Sequence, residues 1–226
     1  MKPIARRDFL KGSLAVAGLT IAASVSPLGF SIVNASEKGK GAAAGFEPNV
    51  WIQITPDDLV TVTIPNSEMG KGVRTALPMI VADELEANWN RVRVKQAQGA
   101  PQFKNPLLDN QITVASASVR GFFEPLRAAG AAGRMMLVTA AAQTWKVPEA
   151  ECEASNGAVE HKKSGRKLTY GKLCQKAAQL PLPKDPVLKK EAQFRYIGKS
   201  MPRVDIPEKV SGKAVFGLDV QVPDML

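Results

Sequence analysis

Apolar residues recur at two different spacings along this chain. Val60, Val62 and Ile64 alternate with Thr61 and Thr63, which is the pattern of a half-buried strand. Residues 50–54 read as its partner across the Pro56-Asp57-Asp58 turn, so a hairpin is expected over 50–64. Val92 and Val94 alternate within 90–96 and predict a third strand. Between these strands Val73, Leu77, Ile80, Val81 and Leu85 fall at helical spacing. They predict a helix over 73–86, which Pro78 should kink. Residues 99–115 show neither period and read as a long loop. Ser116 or Ser118 is placed to cap the next helix, an Ala-rich stretch that is strongly helical from Pro125 to Trp145. Its small residues would let another element pack very close. Residues 159–168 suggest a hairpin around Lys163-Ser164-Gly165, and 169–180 a short helix starting at Thr169 or Tyr170.

Ahead of this pattern lies an apolar run over 14–33, interrupted by Gly18, Pro27 and Gly29. It is preceded by Arg6-Arg7-Asp8-Phe9-Leu10-Lys11, the core of a twin-arginine export signal, and closes on Val33-Asn34-Ala35, as a signal peptidase requires. The glycines, the proline and the cleavage-like end argue against a spanning helix. Residues 1–35 are therefore expected to be a leader to the periplasm, with no stable membrane span after its removal. That route carries folded proteins, often with a cofactor already inserted. Residues 36–45, rich in Lys, Gly and Ala, read as a flexible linker, and three prolines in 181–190 mark a second one. Beyond it, Gly198, Gly212 and Gly217 separate β-like runs. The expected organisation is an α+β domain over 46–182, a linker over 183–193, and over 194–226 the first strands of an incomplete β-rich domain.

Composition narrows the chemistry. With 45% hydrophobic and 23% charged residues the chain is globular in type. The net charge of +9 is scattered in short clusters such as Lys162-Lys163 and Lys189-Lys190, so nucleic acid is not an expected partner. The two cysteines, Cys152 and Cys174, form no CxxC. The single histidine, His161, sits in a polar stretch and is expected to be exposed. A protein zinc site, a haem-attachment motif and a Cys-ligated iron–sulfur cluster are excluded, so any metal must arrive on an organic cofactor.

Two segments suit such a ligand. Ser67-Glu68-Met69-Gly70-Lys71-Gly72 joins a strand to a helix start. Its glycines permit close backbone approach, and the helix start favours an anion or oxo group. Lys71 could add charge. It precedes Gly72 and lacks a second glycine at the required distance, so this is not a phosphate loop of the G-x-x-x-x-G-K-[ST] type. Thr113-Val114-Ala115-Ser116-Ala117-Ser118-Val119 offers hydroxyls and amides ahead of a long helix. One strand and one loop separate the two segments, so they could meet on one edge. Taken singly, each is also explained as an ordinary turn or cap.

These segments resemble a known family. Residues 46–226 are similar to the N-terminal part of the molybdenum-cofactor subunit of isoquinoline 1-oxidoreductase-type enzymes, within the xanthine dehydrogenase and aldehyde oxidoreductase superfamily. The resemblance runs through Phe46-Glu47-Pro48-Asn49-Val50-Trp51-Ile52, the 67–75 stretch, Ser118-Val119-Arg120-Gly121, Arg127-Ala128-Ala129-Gly130 and Leu168-Thr169-Tyr170-Gly171. It continues through Pro202-Arg203-Val204-Asp205-Ile206-Pro207 and Ala214-Val215-Phe216-Gly217-Leu218-Asp219-Val220. It implies a domain of β-hairpins packed with helices, followed by a hammerhead-like β-rich domain.

The resemblance further implies a molybdenum–molybdopterin cofactor, or its cytosine dinucleotide form, held jointly with parts of the subunit outside this chain. Glu68, Met69, Gly70 and Gly72 match the family's Glu-Met-Gly-Gln-Gly loop, with Lys71 in place of the glutamine. Thr113, Ala115, Ser116 and Ser118 match its pterin-holding segment. The implied activity is oxidation of N-heterocycles or aldehydes with water as oxygen source. Electrons would pass to a small [2Fe–2S] subunit and a c-type cytochrome acceptor. The family subunit is several hundred residues longer, and its catalytic glutamate has no counterpart here, so no catalytic residue is expected in this chain. The alternative expectation is an inactive exported fragment or partner-binding module.

Overall fold

A computed structural model of the chain describes residues 19–26, 29–34, 51–223 and 225. Arg6, Arg7, Ala35 and the linker over 36–45 lie outside them. The described part is an α+β fold with two small sheets. The first has the order β2-β1-β3-β4-β5, formed by β1 (Leu19–Ser26), β2 (Gly29–Asn34), β3 (Ile52–Ile54), β4 (Val60–Ile64) and β5 (Val92–Gln96). The expected hairpin is present as antiparallel β3–β4, with Ile52 opposite Val62 and Ile54 opposite Val60. β5 instead runs parallel to β4, with Val60 opposite Val92. A parallel neighbour needs a crossover, supplied here by α1 (Val73–Glu84). The apolar run ahead of residue 35 contributes an antiparallel hairpin, β1–β2, joined to the sheet along β3.

One core fills the space between this sheet and two helices. Trp51, Ile52, Ile54, Val62 and Ile64 meet Leu77, Val81 and Leu85, and then Phe122, Leu126 and Met136 of α2 (Ala117–Trp145). Phe103 and Phe122 stand against the Trp51 indole, each with its ring centroid 5.3 Å away. Pro78 lies inside α1, and Pro125 inside α2, without ending either helix. The Ala-rich face of α2 allows the close contact that its composition suggested. A Cβ on Gly130 would stand 2.9 Å from both the Val81 carbonyl oxygen and the Glu84 Cβ of α1.

The second sheet is a meander, β6-β7-β8, made of β6 (Cys152–Ser155), β7 (Ala158–His161) and β8 (Arg166–Thr169). The hairpin around Lys163-Ser164-Gly165 is present, but β6 was not legible, because Cys-Glu-Ala-Ser carries little strand preference. His161 is buried, not exposed as expected. Its Nε2 lies 2.9 Å from Glu151, ten residues earlier, and its Nδ1 2.7 Å from Ser164 Oγ, and these two partners allow the ring to be buried beside Lys162 and Lys163. The helix α3 (Tyr170–Ala177) follows, and the Tyr170 hydroxyl donates to the Leu85 carbonyl at 2.6 Å. Cys152 and Cys174 are not bonded to each other.

The expected β-rich segment over 194–226 is corrected by the structure. Among its described residues there is no strand, only one 3-10 turn (Gly217–Asp219) and the helix α4 (Ile206–Val210). A strand needs a partner ladder, and this stretch finds other acceptors. The amides of Arg195, Tyr196 and Ile197 donate to the Asp83 carboxylate at 2.8–3.1 Å, and the Val204 amide donates to Thr75 Oγ1 at 3.1 Å. Residues 195–204 therefore form a strap running antiparallel to α1, from its last turn back to its first. No helix among the described residues is long and apolar enough to cross a membrane.

Candidate functional site

The two segments singled out in the sequence come together. The Ser67 amide donates to Thr113 Oγ1 at 3.0 Å, and Asn66 Nδ2 donates to the Ile112 carbonyl at 2.9 Å. Gln111 adds a third tie, its Nε2 donating to the Pro65 carbonyl at 3.0 Å while its Oε1 accepts from the Ala100 amide. This seam walls an open cleft of about 820 Å³ whose lining includes Ser67, Met69, Gln96, Lys104, Gln111 and Thr113.

Glycine shapes the 67–72 loop. Gly70 has φ 98° and Gly72 φ 81°, the left-handed region that side chains disfavour. Nothing stands within 4 Å of where a Cβ would sit on either, so the loop presents bare backbone to open space. Gly72 is also the N-cap of α1, and no side-chain cap comes from it. The carboxylate of Glu68 takes that role. Its Oε1 accepts from the Gly70 and Gly72 amides at 2.7 and 3.0 Å, and its Oε2 from the Arg74 amide at 3.0 Å. Burial alone would raise the Glu68 pKa, but these three amides and the nearby Arg203 outweigh it and leave the carboxyl below its ordinary value. The helix start that was expected to favour an external anion is thus filled by the chain's own carboxylate. Glu68 shapes the loop, and Met69, Gly70 and Lys71 are left exposed on it.

The second segment is shaped by backbone strain. Ala115 and Ser116 are successive left-handed residues, with φ of 53° and 50°. Each such residue costs about 1–2 kcal/mol unless its surroundings hold it. Here the holding group is Asn105, which is buried. Its Nδ2 donates to the Ala117 carbonyl at 2.8 Å and its Oδ1 accepts from the Leu107 amide. Ser116 occupies the N-cap of α2 without a side-chain cap bond, and Ser118 is buried in the first turn. Ala115 and Ser116 are exposed beside Thr113, so Ser118 is the predicted residue of this group that lies beneath the surface.

Sequence reasoning missed Asn66, Asn105, Gln111 and Arg203. Asn66 is 2% exposed, and its Oδ1 is a buried side-chain oxygen without a hydrogen-bond partner among the described residues. Arg203 donates to the Gly70 carbonyl at 2.9 Å from the strap. Polar residues in loops carry no periodic signal, and nothing in the sequence says that position 203 returns to position 70. No group of three or more His, Cys, Asp or Glu side chains among the described residues could hold a metal ion.

The loop and the cleft leave room and polar groups for an organic cofactor. Two left-handed glycines leave space where Cβ atoms would intrude, the cleft beside them has amide and hydroxyl side chains, and one buried amide oxygen lacks a partner. Comparison with known proteins agrees with this fit. The molybdopterin cofactor-binding domain family matches residues 4–220. The beta chain of isoquinoline 1-oxidoreductase from Brevundimonas diminuta is 39% identical over 219 residues, covering 81% of this chain. Membrane-bound aldehyde dehydrogenase [pyrroloquinoline-quinone] of Gluconacetobacter polyoxogenes is 31% identical over 99% of it. A nicotinate dehydrogenase subunit of Pseudomonas putida is 32% identical over 78%. The chain spans 28% of the length of the first two relatives and 14% of the third. Among solved structures, quinoline 2-oxidoreductase from Pseudomonas putida 86 overlays with a TM-score of 0.42 at 15% identity, covering 80% of this chain and 23% of that one. The chain belongs to the molybdopterin cofactor-binding domain family, as a homologue of part of the large subunits of molybdenum hydroxylases.

Proposed function

We propose that this chain forms the N-terminal part of the cofactor-holding subunit of a periplasmic molybdenum hydroxylase that oxidises N-heterocycles or aldehydes. The observation that carries this reading is the bond between Ser67 and Thr113, which ties the left-handed glycine loop to the segment leading into α2 at the wall of one open cleft. Met69, Gly70, Lys71 and Gly72 on one side, with Thr113, Ala115 and Ser116 on the other, would hold the pterin through backbone groups and Oγ atoms. Glu68 would serve by keeping the loop in shape. Lys71 replaces a group that both donates and accepts with one that only donates, which suits an anionic edge of the ligand. When bound, the cofactor supplies a two-electron redox centre, with water as the source of oxygen.

The substrate range follows the names of the relatives, two of which refer to N-heterocycles and one to aldehydes. Electrons would leave through a small [2Fe–2S] subunit and a c-type cytochrome. Export by the twin-arginine route is part of the same proposal. Cleavage after Ala35 would remove β1 and β2 and leave β3 as the sheet edge. Protein purified from its native host is expected to contain molybdenum and to release a fluorescent oxidised pterin after acid–iodine treatment. Folded protein lacking both would refute the proposal.

A further inference from the structure

The strap over 195–204 ends on the cofactor loop. Arg203 is the junction: its Nη1 donates to the Gly70 carbonyl at 2.9 Å, and its Nη2 lies 3.5 Å from Glu68 Oε1. The guanidinium is itself fixed by Asp205, which accepts from Nε at 3.0 Å and from Nη2 at 2.7 Å in a two-point pair. Asp205 is 6% exposed and also accepts from Lys209 Nζ in the last turn of α4. One residue along, the Val204 amide donates to Thr75 Oγ1, which is buried in the first turn of α1. At its other end the strap is anchored to the same helix. The Asp83 carboxylate, fully buried, collects three strap amides and the Lys189 ammonium, and Glu84 collects Arg127 and the Lys189 amide.

This arrangement holds a loop that is otherwise hard to hold. Gly70 and Gly72 free the backbone but add no packing, and Met69 is 63% exposed, so the loop has no apolar anchor of its own. Glu68 satisfies its amides. The Gly70 carbonyl, turned the other way, is held from the strap. A planar guanidinium can reach that carbonyl and two carboxylates together, whereas an ammonium acts as a single point charge.

We propose that Arg203, oriented by Asp205, is a positioning residue for the 67–72 loop, so that docking of the strap along α1 sets the geometry of the cofactor-facing backbone. The significance for the cofactor rests on the function proposed above; the control of the loop by the strap does not. Lys71 makes the loop readable, because it is exposed and trypsin cleaves after it. Lys163, in the β7–β8 turn of the other sheet, is an exposed internal reference.

The experiment compares limited trypsin digestion of the full chain with Arg203→Ala, Arg203→Lys and Asp205→Asn, reading cleavage at Lys71 and Lys163 by mass spectrometry. The expected result is cleavage at Lys71 several-fold faster in Arg203→Ala and Asp205→Asn, partial restoration in Arg203→Lys, and no change at Lys163. Hydrogen exchange at the Gly70 and Gly72 amides should rise in the same order. Equal acceleration at both sites would mean general destabilisation, and an unchanged rate at Lys71 would mean the loop holds itself; either overturns the inference. Molybdenum content of the same variants, purified from the native host, separates the two proposals. A loop that opens without loss of metal leaves the positioning role standing and refutes the cofactor contact.

Discussion

At Gly130 α2 lies close against α1, and adding one methyl there tests how the core is built. In Gly130→Ala the new Cβ would lie 2.9 Å from the Val81 carbonyl oxygen and 2.9 Å from Glu84 Cβ, with the Leu85 nitrogen at 3.3 Å. Two of these three atoms belong to the backbone of α1 and its C-cap, so no flexible side chain can swing away. Helix propensity favours alanine by about 1 kcal/mol. Against it, an overpacked core costs about 1–3 kcal/mol. The displacement also strains Glu84, which is fully buried and bonded to Arg127 at 2.8 Å and to the Lys189 amide at 3.1 Å. Losing one partner of a buried pair costs about 3–5 kcal/mol, and a partial lengthening some fraction of that. The expected net loss is about 1–3 kcal/mol, which for a domain of this size lowers the Tm by about 2–4 °C per kcal/mol. Thermal unfolding followed by circular dichroism measures it, with Gly99→Ala as the control because nothing stands within 4 Å of that Cβ. A Gly130→Ala protein as stable as the parent, or more stable, would show that the helices are not in the contact described.

Three further outcomes are expected. Burial pushes the Asp83 carboxyl up, but Lys189 and the amides of Ile197, Tyr196 and Arg195 outweigh it and leave its pKa below the ordinary 3.8. The stabilisation is therefore present above that value and is lost as pH falls through the lower folded value, so acid should release the strap and Asp83→Asn should flatten the pH dependence of unfolding in that range. Lys71→Gln changes an exposed side chain, so stability should move by less than about 0.5 kcal/mol, while loss of the charge that suits an anionic edge of the ligand should lower the molybdenum content found by metal analysis. Replacing Arg6 and Arg7 together by lysine should leave precursor in the cytoplasm, as fractionation and immunoblotting would show; normal delivery to the periplasm would defeat the leader assignment.

The elements legible in the sequence were those whose signal is local. The alternation at Val60, Val62 and Ile64, and the spacing of Val73, Leu77, Ile80 and Val81, each report one buried face, and both appear as expected. The meeting of the two loops was also anticipated, because both flank helix entries next to adjacent strands. What escaped was set by contacts between distant positions. The Asp83 carboxylate receives amides more than 110 residues away, which turns β-like runs into a strap. His161 looked exposed because Lys162 and Lys163 stand beside it, yet Glu151 and Ser164 pair with both ring nitrogens and let it be buried. The left-handed turn at Ala115 and Ser116 depends on Asn105, ten residues earlier and without periodic context. Glu68 matched a motif, but its bonds to the Gly70, Gly72 and Arg74 amides could be read only from coordinates.

The central claim is that bare backbone at the 67–72 loop lies against a molybdenum cofactor, and Gly72→Val tests it most directly. Gly72 has φ 81° and nothing within 4 Å of its missing Cβ, so a valine Cβ meets no neighbour within the chain, while the side chain strains the turn and fills room a ligand would use. A loop that relaxes to relieve about 1.4 kcal/mol of backbone strain must take that strain up again on binding, so cofactor retention should fall about tenfold. The measurement is molybdenum per mole of protein purified from the native host, beside the parent, with circular dichroism confirming an intact fold. A folded variant depleted in molybdenum is the expected result; a folded variant with full metal content and full activity would contradict the claim and remove this loop from the site.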